Sequence, residues 1–247
     1  MKKIIMLILF ILSEVAELLW LLSMGRMLKI MQWDLNWFIC TLRSSIGKKL
    51  IMALTGLGFC IFLIAHLAGN LTICAGEYAF NSYAERLHAL GPLVTLIEIG
   101  LLFFAVAHVF IGACLFYENL RARPEKYLVK KNAGGRTIGS VTMPYTGFLI
   151  LFFIVLHLMD FYFAGKADQT IYQIVLKTFS NPGYAFFYIV SMIIVATHVS
   201  HGFWSAFQTL GVSNSEYMSL LRVMGTIFSL AVGLGFGFLP IYISFIS

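Results

Sequence analysis

Five long apolar stretches dominate the chain of 247 residues: about Leu50–Ile73, Leu93–Tyr117, Pro144–Phe163, Tyr184–Phe207 and Val223–Phe245. A bilayer core is crossed by a helix of ~20 apolar residues. Inside lipid the backbone must satisfy its own hydrogen bonds, so only helices and closed barrels can span it. A barrel strand would show ~10-residue segments of alternating polarity, and no such alternation is present. The expected fold class is therefore all-α integral membrane, with five transmembrane helices. Composition leaves no room for a soluble alternative, because 60% of residues are hydrophobic and only 11% charged. Turn signals at Gly91-Pro92 and Asn181-Pro182-Gly183 separate the spans.

The formal net charge of +6 is unevenly placed. Arg121, Arg123, Lys126, Lys130, Lys131 and Arg136 crowd one loop, and Arg43, Lys48 and Lys49 precede the first span. Loops around 75–92 and 164–183 are poorer in Lys and Arg. This asymmetry puts the N-terminal side and the 118–140 loop in the cytoplasm. Spans one and three then run outward, and two and four inward. Topogenic charge and contact with membrane lipids account for the basic excess, so no nucleic-acid partner is expected; docking of a peripheral protein on the same face is compatible with it.

Residues 1–40 form an N-terminal extension ahead of a five-helix domain at 41–247. Lys2-Lys3 and Ile4–Leu12 imitate a signal peptide, but Ser13-Glu14-Val15-Ala16-Glu17 makes a poor cleavage site. Glu14, Glu17, Arg26 and Lys29 recur at roughly helical spacing, which suits a helix lying in the membrane interface.

His66, His108, His157 and His198 each lie near the middle of a different span, one per consecutive helix. Imidazoles at such depth are costly and mark function. Their offsets from the span midpoints put His66 and His157 in the outer leaflet and His108 and His198 in the inner one. The two levels are then about 8–15 Å apart. Two histidines per level are what a six-coordinate haem iron requires, and such a haem carries electrons without binding oxygen. The first four helices would form the di-haem bundle, a common way to build a cofactor site. Gly69, Gly112 and Gly202 follow three of the ligands by one turn and leave space for a flat macrocycle. Cys40, Cys60, Cys74 and Cys114 show neither metal-type spacing nor a haem-attachment motif, so the haems would be two noncovalent b haems. The plainer alternative for any one histidine is a hydrogen bond to a neighbouring helix. His88 and His201 fit the two-level scheme less well.

Several segments are similar to a known family. SSIGKKLIMALTG leads to HLAGN at 66–70, followed by LIEIGLLFFAVAHVFIG at 96–112, NLRARPEKY at 119–127, VLHLMDF at 155–161 and HVSHGFWSAFQTLG at 198–211. In this order they resemble the di-haem cytochrome b membrane anchor of bacterial succinate:quinone oxidoreductases, the succinate dehydrogenases and fumarate reductases of five-helix type. The resemblance covers about 37–247. It implies that His66 and His157 hold the haem distal from the catalytic partners, and that His108 and His198 hold the proximal one. It also implies a flavoprotein subunit for the dicarboxylate chemistry and an iron–sulfur subunit that relays electrons. This chain would be the anchor, in a bacterial inner membrane, passing electrons to a quinone near the outer face. Haems of this sort usually accompany menaquinone. A dimer of complexes is left open. Some fumarate-reducing relatives place a glutamate two residues before the fourth ligand as a proton path; Ala196 stands there, which argues against that path in this chain.

A quinone needs donors to its carbonyl oxygens, and the outer end offers Asn70, His88, Glu98 and Asp160. The competing reading makes Asn70 and Asp160 supports for the ligand imidazoles, and Glu98 half of a structural pair. On the inner face, Arg43, Ser44, Ser45, Lys48, Arg121 and Arg123 could meet haem propionates or the iron–sulfur partner. Two rival functions share these features: a di-haem cytochrome b of another respiratory dehydrogenase, and a haem-free anchor or transporter whose histidines line a proton path.

Overall fold

The computed structural model describes residues 14, 17, 20, 21, 23, 24, 32, 34, 36–122, 137–165, 169–212 and 214–246. Arg123, Lys126, Lys130, Lys131 and Arg136, and most of the N-terminal extension, lie outside the described residues. The chain divides into two compact units, residues 1–48 and 49–247. In the first, residues 36–43 are helical and a bend falls at Ser44. The Ser44 hydroxyl donates to the Thr41 carbonyl at 2.6 Å and accepts from the Gly47 amide at 3.1 Å, so the bend's polar groups are satisfied locally.

From there the described chain is helical, without strands. The helices are α1 (Ser45–Leu71), α2 (Glu77–His88), α3 (Pro92–Arg121), α4 (Ile138–His157), α5 (Ile171–Phe179), α6 (Pro182–Thr209) and α7 (Ser215–Ile246). A 3-10 turn (Thr72–Ala75) extends α1, and a π-helical turn (Leu158–Tyr162) extends α4. α1, α3, α4, α6 and α7 are each long and apolar enough to cross a membrane. This is the expected all-α membrane fold with five spans.

Polar caps explain where the helices overrun the apolar stretches. α4 starts at Ile138 rather than Pro144, because the Thr137 side chain accepts from the Ser140 amide and caps the helix. Pro144 therefore lies inside the helix. α7 starts at Ser215, well before Val223, where Asn214 Oδ1 accepts from the Glu216 amide at 3.0 Å. Side-chain acceptors at these positions let a helix begin in polar sequence that a hydropathy reading leaves outside.

The long helices are antiparallel where they pair. Along α7, Gly225 meets Phe203, Gly233 meets Ala196 and Gly237 meets Met192, so α6 runs the opposite way. α3 opposes α1 in the same manner, with Gly56 beside His108 and Gly112 beside Met52. α4 and α6 repeat it, with Gly147 beside His198 and Gly202 beside Met143. Small residues at these crossings let backbones approach, which is how helices associate where lipid removes the hydrophobic driving force.

α2 and α5 occupy the connections that the sequence reading treated as loops. A capping box at Thr170 and Gln173 starts α5. α5 buries Ile174, Val175 and Phe179, and α2 buries Phe80. Phe80, Val175 and Phe179 join Ile73, Ala185, Tyr188, Leu239 and Ile243 in the larger apolar cluster. The core is thus densest where the α1–α2 and α4–α6 connections meet the ends of α6 and α7. A smaller cluster of Met192, Val195 and Val232 continues along the α6/α7 seam, with Leu63 of α1 against it.

Candidate functional site

His66 and His157 meet directly across the bundle. Their ring centroids are 5.9 Å apart and the planes perpendicular. Apolar rings enclose them: Phe62 stacks on His66 at 5.0 Å and Phe236 lies at 5.4 Å, while Phe153 and Phe161 lie 5.6 and 5.2 Å from His157. His157 Nδ1 is buried and has no hydrogen-bond partner. His66 Nδ1 has only the Asn70 amide nitrogen nearby, at 3.4 Å. That nitrogen donates to the His66 carbonyl at 2.8 Å, which identifies it as the amide N–H₂.

His108 on α3 and His198 on α6 are the second expected pair, and they share one surrounding. Here each Nδ1 has a threonine hydroxyl from the neighbouring helix. Thr55 Oγ1 lies 2.9 Å from His108 Nδ1, and Thr146 Oγ1 lies 3.0 Å from His198 Nδ1. Both threonines are buried, at 5% and 9% exposure, although they sit among otherwise apolar residues. The hydroxyls also bond backward along their own helices, Thr55 to the Ile51 carbonyl at 2.7 Å and Thr146 to the Thr142 carbonyl at 3.0 Å.

The sequence reading overlooked both threonines. A signal was present: Met52-x-x-Thr55-Gly56 precedes His66 as Met143-x-x-Thr146-Gly147 precedes His157, and the Thr-to-His separation is the same in both. That separation is about 16 Å of helical rise, just beyond the upper end of the spacing expected from span midpoints.

These donors suit a metal that brings its own equatorial ligands. Among the described residues no group of three His, Cys, Asp or Glu side chains converges to hold a bare ion. Two imidazoles alone leave four positions of an octahedral metal to be filled by something else, as a porphyrin fills them. A metal–imidazole bond is about 2 Å, so two rings gripping one metal from opposite sides have centroids about 6 Å apart, close to the His66/His157 separation. The residues present therefore fit two haems.

The remaining candidate residues are dispersed. His88, at the end of α2, Glu98 on α3 and Tyr162 line one open pocket of about 490 Å³ with Gly91, Val94 and Thr95. The Tyr162 hydroxyl donates to Glu98 Oε2 at 3.5 Å. Asp160 lies elsewhere, accepting from the Tyr188 hydroxyl at 2.8 Å, and Asn70 is turned back on its own helix. His201 is tied to Thr137 at 3.2 Å, apart from the two pairs. Its neighbour Trp204 carries the Arg222 guanidinium over its ring at 4.9 Å. Gly69 faces Tyr83 of α2, whereas Gly112 and Gly202 face Met52 and Met143. Arg43 and Ser45 belong to the 1–48 unit, and both are exposed.

Fold and site together define an all-α integral membrane protein with four histidines on four of its spans, of which His66 and His157 meet ring to ring across two helices. The chain is similar to the succinate dehydrogenase cytochrome b558 subunit of Bacillus subtilis (strain 168), with 28% identity over 159 residues, 62% of this chain and 73% of the relative. The likeness agrees with the motif resemblance to a cytochrome b anchor of succinate:quinone oxidoreductases. No protein-family model matches the chain. No solved structure matches it.

Proposed function

We propose that the chain is the membrane-anchoring cytochrome b subunit of a succinate dehydrogenase or fumarate reductase complex in a bacterial cytoplasmic membrane. Its task is to pass electrons between an iron–sulfur partner, itself served by a flavoprotein, and a membrane quinone, with menaquinone the expected one. The observation that carries this reading is the perpendicular approach of His66 and His157, whose ring centroids are 5.9 Å apart, close to the separation expected of two imidazoles that would hold one metal. His108 and His198 supply the equivalent pair at the other level. A haem held by two imidazoles supplies one-electron transfer without oxygen binding. The pocket lined by His88, Glu98 and Tyr162 offers donors and a carboxylate to a quinone headgroup. It lies near the bundle end where the His66/His157 pair sits. The charge asymmetry supports placing that end outside and the basic 118–140 loop on the cytoplasmic side, where the soluble subunits would dock.

A reduced-minus-oxidised spectrum with a pyridine haemochrome assay on the complex purified through this chain tests the reading. Two b haems per chain, with co-purifying succinate-oxidising flavoprotein, are expected. A haem-free preparation from haem-replete cells would overturn it. Haems accompanied by a hydrogenase or formate dehydrogenase instead would transfer the chain to the rival respiratory class.

A further inference from the structure

The two buried threonines stand in equivalent places of two equivalent helix pairs. Thr55 on α1 meets His108 on α3, and Thr146 on α4 meets His198 on α6, at 2.9 and 3.0 Å. A Cβ built on Gly56 would lie 3.5 Å from His108 Cε1, and one on Gly147 would lie 3.5 Å from His198 Cε1. One turn beyond each histidine, Gly112 faces Met52 and Gly202 faces Met143. Three separate contacts are thus made twice, by Met-x-x-Thr-Gly on one helix and His-Val-x-x-Gly on the next. A coincidental hydroxyl near a ring would not repeat with its whole neighbourhood.

Proton counting then shows what the hydroxyls can do. A threonine hydroxyl has one proton and can donate once while accepting through its lone pairs. Each proton is directed to a carbonyl of its own helix, Ile51 for Thr55 and Thr142 for Thr146. With the proton so directed, the oxygen is able to accept from the imidazole in the tautomer that carries its proton on Nδ1 and leaves the Nε2 lone pair free for a metal. An imidazole so held is a metal ligand in the correct tautomer, and its hydrogen-bonded N–H makes it a stronger donor. The His66/His157 level has no such support, since His157 Nδ1 is unpartnered and His66 Nδ1 has only an N–H₂ group beside it.

We propose that Thr55 and Thr146 are positioning residues for one of the two metal levels, fixing the ligating tautomer of His108 and His198 and raising their donor strength, while the His66/His157 level is left untuned. This rests on the haem-binding reading above, and adds to it a chemical difference between the two sites.

The test is redox potentiometry with optical and EPR detection on the assembled complex carrying Thr55→Val, Thr146→Val and the corresponding Ser variants. His108→Ala identifies which spectral component belongs to this level. Each Val variant should shift that component's midpoint potential positive, because a weaker donor stabilises ferric iron less, and leave the other component in place. Each Ser variant should restore the wild-type potential. Loss of only that component in a Val variant, with its retention in the Ser variant, would equally support the assignment. Unchanged potentials, a shift confined to the other component, or a Ser variant behaving like Val would overturn it. A wild-type complex without haem would instead overturn the proposed function, so the two failures are distinguishable.

Discussion

His108 and His157 illustrate how much a ligand's neighbours matter. Both are imidazoles within apolar helices, yet one has a threonine oxygen at Nδ1 and the other has nothing. On the proposed pairing, His108→Ala should remove one haem and spare the other, which a haemochrome titration of the variant will count. Loss of both, or of neither, would contradict the pairing of His66 with His157 and His108 with His198. Asp160 sits three residues after His157, yet it serves Tyr188 instead. The Tyr188 side chain is 5% exposed and packs against Phe153, Phe161 and Phe179. Tyr188→Phe should keep that packing and strand the Asp160 acceptor, costing about 1–2 kcal/mol. Thermal denaturation of the solubilised protein will show it as a lowered midpoint, with haem content unchanged below the transition.

Among the elements, the seam between α6 and α7 depends on missing side chains. A Cβ at Gly233 would come within 2.8 Å of Ala196 Cβ, two atoms that cannot yield by rotating. Gly233→Val should therefore push the helices apart at a cost of about 1–3 kcal/mol, read as lower thermal stability in detergent. α5 depends on local chemistry of another kind. Thr170→Ala removes the side-chain half of its capping box and should cost about 1 kcal/mol. Amide hydrogen exchange over 171–179 should quicken while α6 and α7 keep their protection.

For the molecule as a whole, the apolar cores and the imidazole levels are spatially organised along the bundle. The larger cluster lies where α2 and α5 meet the ends of α6 and α7. Within the spans, contacts rest on small residues and hydrogen-bonded hydroxyls, which is the currency available in lipid. The proposed orientation is open to a direct check. Cys40 precedes span one and Cys74 lies at its far end, and both are exposed free thiols. A membrane-impermeant maleimide added to intact spheroplasts should label Cys74 and spare Cys40, and the pattern should invert in inside-out vesicles. The opposite pattern would reverse the topology and move the quinone pocket to the cytoplasmic side.

The five spans were legible in the linear chain because backbone satisfaction in hydrocarbon leaves helices as the only continuous apolar solution. The four imidazoles were legible for a related reason, since a polar ring in lipid is too costly to be incidental. α2 and α5 were not, because short amphipathic helices owe their order to the cluster they cover rather than to their own length. The repeated Met-x-x-Thr-Gly marks Thr55 and Thr146, but neither it nor the position of Asp160 tells which partner each side chain meets. Whether a mid-helix hydroxyl or carboxylate bonds a ligand, another side chain or its own backbone depends on how each helix is rotated about its axis and how closely the next one approaches. Those rotations come from contacts such as Gly56 with His108 and Gly233 with Ala196, between residues far apart in the chain. Hydrophobicity along the sequence determined that helices cross a membrane carrying histidines, and only their packing decided which ring faces which partner.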